Sequence, residues 1–154
     1  MTTTSALTTL TALELLLPVG LPGIGGARRF VLEPLGDQLN VFGTLRSLDV
    51  AALADGTPAG PLSLLVAAPG LLWPEYCVEV PDETAELLEL EDPADAVALV
   101  VVTAGATLDE TTANLFAPIV VNVARGLAQQ VVPRKSEEEV GWPLRAPLPL
   151  PAVA

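Results

Sequence analysis

Proline and glycine recur so often along this chain that only short segments lie between them. Fifteen prolines and twelve glycines are spread over 154 residues. Proline removes a backbone donor and closes helices, and glycine supplies tight turns, so each cluster ends whatever precedes it. The segments left are rich in Val, Leu, Ile and Thr, the composition of strands. Six to nine short strands of this kind predict an all-β, mainly antiparallel, small β-barrel-like domain or sandwich with one or two short helices.

Residues 1–12 are Thr-rich at the start and expected to fray. Residues 13–132 form a single domain, and residues 133–154 are a polar, then Pro-rich, extended C-terminal tail. Leu13 to Leu17 is a short apolar run, followed by turn formers from Pro18 to Gly26. Strands are expected from Arg28 to Leu32, from Gln38 to Leu45 (Leu39 and Val41 on one face) and from Leu62 to Ala68. Between Trp73 and Val80, the side chains of Tyr76, Val78 and Val80 share a face. A helix opening at Pro81-Asp82, with Asp82 as N-cap, ends near Leu90. Ala96 to Thr103 is apolar on both faces and so is expected to be central. Asn114 to Val123 is interrupted by Pro118, which predicts an edge strand or a bulge. Leu127 to Val132 completes a hairpin across Ala124-Arg125-Gly126.

Charge narrows the function. The net charge is −12. No Lys or Arg lies between Arg46 and Arg125, a stretch with thirteen Asp or Glu residues, nine of them from Glu75 to Asp95. Nucleic-acid binding needs cations that displace counterions from phosphates, so direct binding is not expected. An acidic face attracts a basic protein instead; the plainer reading is a solvated, solubilising surface.

Residue types exclude further chemistry. The chain has no histidine and one cysteine, which rules out an internal disulfide, Ser-His-Asp or Cys-His nucleophiles, and zinc sites built on Cys and His. Cys77 reads as a small apolar filler. No metal, cofactor or catalytic residue is assigned. The Gly23-Ile24-Gly25 cluster precedes a strand, not a helix, so it is a turn and not a dinucleotide loop. A carboxylate pair such as Glu75 with Glu79, or Glu89 with Glu91, is the remaining route to catalysis. It lacks a convincing context, and no enzyme activity is expected. The start has no basic n-region and carries Glu14 in its apolar part, so no secretory signal is read. The chain is expected to be soluble and cytoplasmic.

Several ordered segments resemble the FliW family of flagellar assembly factors. Pro18-Val19-Gly20-Leu21-Pro22-Gly23 is similar to the family's F-P-x-G-(I/L)-P-G-F element, with Leu17 and Ile24 where aromatics are usual. Trp73-Pro74-Glu75-Tyr76 and Val80-Pro81-Asp82-Glu83 resemble its F-P-D-Y and P-D-E segment. The most specific block is Thr112-Ala113-Asn114-Leu115-Phe116-Ala117-Pro118-Ile119-Val120-Val121-Asn122, similar to T-A-N-L-x-A-P-(I/L)-V-(I/V)-N. Trp142-Pro143-Leu144-Arg145-Ala146-Pro147-Leu148 resembles a terminal Y-x-x-R-x-P-L.

The resemblance implies a small β-barrel-like fold and a mechanism of partner exchange. Family members bind the RNA-binding translational regulator CsrA and relieve its repression of flagellin synthesis, and they also bind flagellin, which frees the regulator. The densest acidic run, Glu83, Glu86, Glu89, Glu91 and Asp92, is the expected face for the regulator. Trp142 and Arg145 are assigned to a contact of the tail, most simply with flagellin. Asn114 and Asn122 each stand at a boundary of an apolar strand. They are read either as recognition contacts or as caps of backbone groups. A generic β-barrel interaction module with other partners, and a carboxylate-based hydrolase with two convergent acids in a deep pocket, are the alternatives.

Overall fold

The computed structural model describes residues 2–4, 12–22, 27–35, 41–52 and 58–149. Among them the strands are β1 (Thr2–Thr4), β2 (Leu13–Leu16), β3 (Arg29–Pro34), β4 (Phe42–Ala52), β5 (Pro58–Ala67), β6 (Cys77–Glu79), β7 (Ala96–Thr103), β8 (Thr112–Ala113), β9 (Ile119–Asn122), β10 (Leu127–Gln130) and β11 (Ala146–Pro147). Short helices α1 (Pro69–Leu72), α2 (Asp82–Leu87) and α3 (Glu137–Val140) lie between them.

Following hydrogen-bonded neighbours, the sheet runs β7-β5-β4-β3-β2-β10-β9, and β9 then pairs back onto β7. That last pairing, Ala96↔Asn122 to Leu99↔Ile119, closes a seven-stranded barrel. Closure removes the exposed edges that an open sheet would present. Neighbours are antiparallel except β10 with β2, which are parallel at Leu127↔Leu16. β8 and β11 extend the sheet beyond β7, and β1 pairs with β6 as a separate two-stranded ribbon.

Alternation along β7 and β9 divides the apolar residues into two cores. Leu99, Ile119 and Val121 point into the barrel with Leu17, Phe30, Leu45 and Val66. Ala98, Val100, Val102 and Val120 point outward, where Tyr76, Val78, Leu88, Leu115 and Leu148 cover them. This is why Ala96 to Thr103 reads as apolar on both faces: β7 is the wall between two cores. Each large apolar side chain fully withdrawn from water contributes about 1.5–3 kcal/mol. The outer core therefore anchors the β6–α2 segment and the tail to the barrel.

Several elements depart from expectation. Thr2–Thr4 is not a loose end, since its backbone pairs with β6. β9 is not an edge strand: Pro118 precedes it, and the strand pairs with β10 on one side and β7 on the other. Asn114 to Pro118 is a loop, so the missing N–H of Pro118 costs the ladder nothing. Asp82 does not cap α2. Pro81 occupies that position, without a side-chain hydrogen bond, and the helix ends at Leu87. Cys77 is exposed, not filler. β4 begins at Phe42 and continues past Leu45 to Ala52. Gln38, Leu39 and Asn40, like the turn at Gly23-Ile24-Gly25, lie outside the described residues.

The extra length of β4 has a physical reason. Ser47 is buried while Leu48 is exposed, which inverts the usual alternation. The pairing with β5 breaks between Arg46 and Val50, and Ser47 Oγ accepts the N–H of Leu62 at 2.7 Å to repair it. Nearby, the Asp49 carboxylate accepts the backbone N–H groups of Arg28 (3.1 Å) and Arg29 (3.0 Å). After α3, the C-terminal segment runs extended along the outer core, where Ala146 pairs with Ala113 and Leu115 N–H donates to Pro143 O.

Candidate functional site

The acidic stretch divides around α2, with Glu79 and Glu83 on one side and Asp82, Glu86, Glu89 and Glu91 on the other. Pro81 and the first-turn acids Asp82 and Glu83 start α2, where negative charge suits the positive end of the helix. None of the residues within α2 is buried. The helix is held to the barrel by the residues just beyond it. Leu88 is fully buried, and the Asn122 Nδ2 donates to Leu88 O (2.8 Å) and Glu89 O (3.2 Å). These are carbonyls a helix leaves orphaned at its C-terminus. Glu89 itself turns through φ 55°, a left-handed conformation unusual for a residue with a side chain.

The five acids named from the sequence are all exposed, but they differ in what they touch. Glu89 forms an ion pair with Arg125 at 3.3 Å. Asp92 accepts the N–H of Ala94 and caps a short 3-10 turn. Glu83, Glu86 and Glu91 make no ion pair among the described residues. Asp82, Glu86, Glu89 and Glu91 surround a shallow hollow above Ala85 and Leu90. No three acidic or thiol side chains among the described residues are grouped to hold a metal ion.

The other named residues fall apart in space and in role. Asn114 Oδ1 accepts the N–H of Phe116 (3.1 Å) and of Ala117 (2.9 Å), so it shapes the loop before β9. Asn122 is buried and fully engaged, its Oδ1 accepting the N–H of Ala124. Trp142 is half-buried and meets Tyr76 edge-on, with ring centroids 4.9 Å apart at 71°. Arg145 is exposed and makes no ion pair among the described residues. Trp142 and Arg145 are near neighbours in the tail, yet one packs on the outer core and the other faces solvent.

Beneath Trp142 lies a groove of about 720 Å³. One wall is β6 and α2, with Glu79, Glu83 and Leu87; the other is the run from Gln129 to Lys135. Tyr76 and Phe116 border it as well. The Tyr76 hydroxyl donates to Leu115 O at 2.8 Å, and burial pushes its pKa well above the ordinary phenol value. No single segment of the sequence carries this groove, since four separated stretches make it. The adjacent cations Arg134 and Lys135 in so acidic a chain are the one local signal of it.

Fold and surface together define a small closed β-barrel domain that presents an exposed acidic helix and an open groove. Comparison with known proteins gives the family. Residues 2–148 match the family model described as FliW protein. The flagellar assembly factor FliW of Bacillus licheniformis is 35% identical over 113 residues, covering 73% of this chain and 72% of that one. The FliW of a Geobacillus species is 37% identical over 113 residues, covering 73% and 71%. A crystal structure of the flagellar assembly factor FliW superposes with a TM-score of 0.72 at 29% identity, covering 91% of this chain and 88% of that one. The chain belongs to the FliW family of flagellar assembly factors. Among the described residues no helix is long and apolar enough to cross a membrane.

Proposed function

We propose that this chain is a cytoplasmic, non-enzymatic assembly factor that antagonises the RNA-binding regulator CsrA and exchanges it against flagellin. Flagellin synthesis would then follow filament assembly: free flagellin takes the factor, and the released regulator silences further translation. The observation that carries this reading is the acidic α2 segment, where Glu83, Glu86 and the nearby Glu91 are exposed without a cation paired to them among the described residues. An RNA-binding regulator is a basic protein, and unneutralised acids draw such a partner and speed encounter, at a surface away from its bound RNA. Glu89 contributes less than its neighbours, because Arg125 already balances it.

The test is calorimetric titration with CsrA from the same organism, before and after loading with flagellin. Binding that flagellin abolishes supports the exchange, and absence of heat with both proteins overturns it. The double substitution Glu83→Lys with Glu86→Lys is expected to weaken regulator binding and flatten its salt dependence.

A further inference from the structure

The geometry points to a second binding site: the groove between α2 and the Gln129–Lys135 run takes an amphipathic segment of another protein, one bearing carboxylates beside its apolar face. Apolar side chains are unusually exposed here. Val19 (56%), Leu87 (37%) and Val132 (53%) all line this one groove, next to the half-buried Phe116 and Trp142. Exposed apolar residues gathered in a concave surface mark an interaction site, whereas scattered ones do not.

Charge selects the occupant. Arg134 and Lys135 line the groove, are exposed, and make no ion pair among the described residues. Of the acids that follow, Glu139 also lines the groove and accepts from the Ser136 hydroxyl, the N-cap of α3, Glu137 accepts the N–H of Leu144 at 2.7 Å, and Glu138 is exposed. By contrast, Arg46 and Arg125 are paired with Glu33 and Glu89. Of the cations without an ion pair among the described residues, Arg134 and Lys135 are the two that line this apolar groove. Carboxylates on one flank of a segment seated on the apolar lining meet these two cations, which sets its direction in the groove. The acids of the opposite wall, Glu79 and Glu83, favour a segment whose far flank is neutral or basic.

Two labelled peptides with the same apolar residues, one flanked by Glu on the side of its apolar face and one by Lys, provide the test. Each is titrated into the full chain by fluorescence anisotropy, with Trp142 emission as an independent signal. The Glu-flanked peptide is expected to bind about ten-fold tighter. Arg134→Glu with Lys135→Glu should abolish or reverse that preference, and Leu87→Asp should weaken both peptides. All three positions are exposed, so the fold should survive, and circular dichroism checks it. Equal affinities, a preference for the Lys-flanked peptide, no binding of either, or a preference untouched by the charge reversal would each overturn the proposal. Peptide and regulator are titrated separately into the parent chain, so the failure of either site leaves the other standing.

Discussion

Asn122 of β9 closes the end of α2, its side-chain amide donating to the carbonyl oxygens of Leu88 and Glu89 while its own Oδ1 accepts the N–H of Ala124. One buried side chain thus joins the closing strand of the barrel to the acidic helix. Asn122→Ala leaves two carbonyls short of a donor and is expected to cost about 1–3 kcal/mol, read as a shift in the denaturant midpoint. Because α2 has no buried residue of its own, amide exchange should rise first between Thr84 and Leu90, ahead of global unfolding.

Tyr76 provides a direct optical test of the outer core. It is the chain's only tyrosine, it is buried, and its hydroxyl donates to Leu115 O. Burial raises its folded pKa above the unfolded value of 10.0. The neutral phenol is then the form the folded state favours. Stability is fully present below pH 10 and falls as the pH rises above it, since only the unfolded chain releases the proton. Tyrosinate absorbance should therefore appear together with loss of circular dichroism on alkaline titration. A phenol that ionises near its ordinary value while the fold persists would contradict this environment. Tyr76→Phe should flatten the alkaline limb and cost about 0.5–1.5 kcal/mol at neutral pH.

How much of this molecule is legible in its sequence depends on whether a segment's surroundings come from its own neighbourhood. β7 is readable because eight apolar or β-branched residues in a row admit only burial on both faces. The β9–β10 hairpin is readable from its turn, where Gly126 takes φ +68°. The central place of β9 is not, because Pro118 lies just before the strand, and a proline outside the ladder leaves no trace of which side of it is paired. The length of β4 is hidden by Ser47, a polar residue turned inward to serve Leu62. The acidic face is visible as composition, yet nothing local shows that Arg125 balances Glu89 from 36 residues away. The groove is hidden for the same reason, being assembled from β6, α2 and the segment after β10.

Ser47 makes the repair of the β4–β5 ladder measurable. Its hydroxyl is buried and meets the Leu62 N–H at the break in that ladder. Ser47→Ala should destabilise the fold by about 1–2 kcal/mol, because the amide loses its partner without regaining water. Ser47→Thr keeps the hydroxyl but adds a methyl group to a packed position, so its outcome separates hydrogen bonding from packing. Recovery of most of the loss by threonine would assign it to the bond.

Asp49 acts on the acid side of the pH scale. Withdrawal from water opposes its ionisation, but the N–H groups of Arg28 and Arg29, its own N–H and the Arg29 charge together outweigh that, holding its carboxyl below the ordinary value of 3.8. A depressed folded pKa means that this contribution is present above pH 3.8 and is lost as the pH falls through the folded value. Asp49→Asn should then be less stable than the parent chain at neutral pH, with the gap narrowing in acid as the parent's own carboxylate is protonated. Chemical denaturation of both chains across the acid range measures it. A difference that stays constant with pH would mean that Asp49 acts through packing, not through its charge.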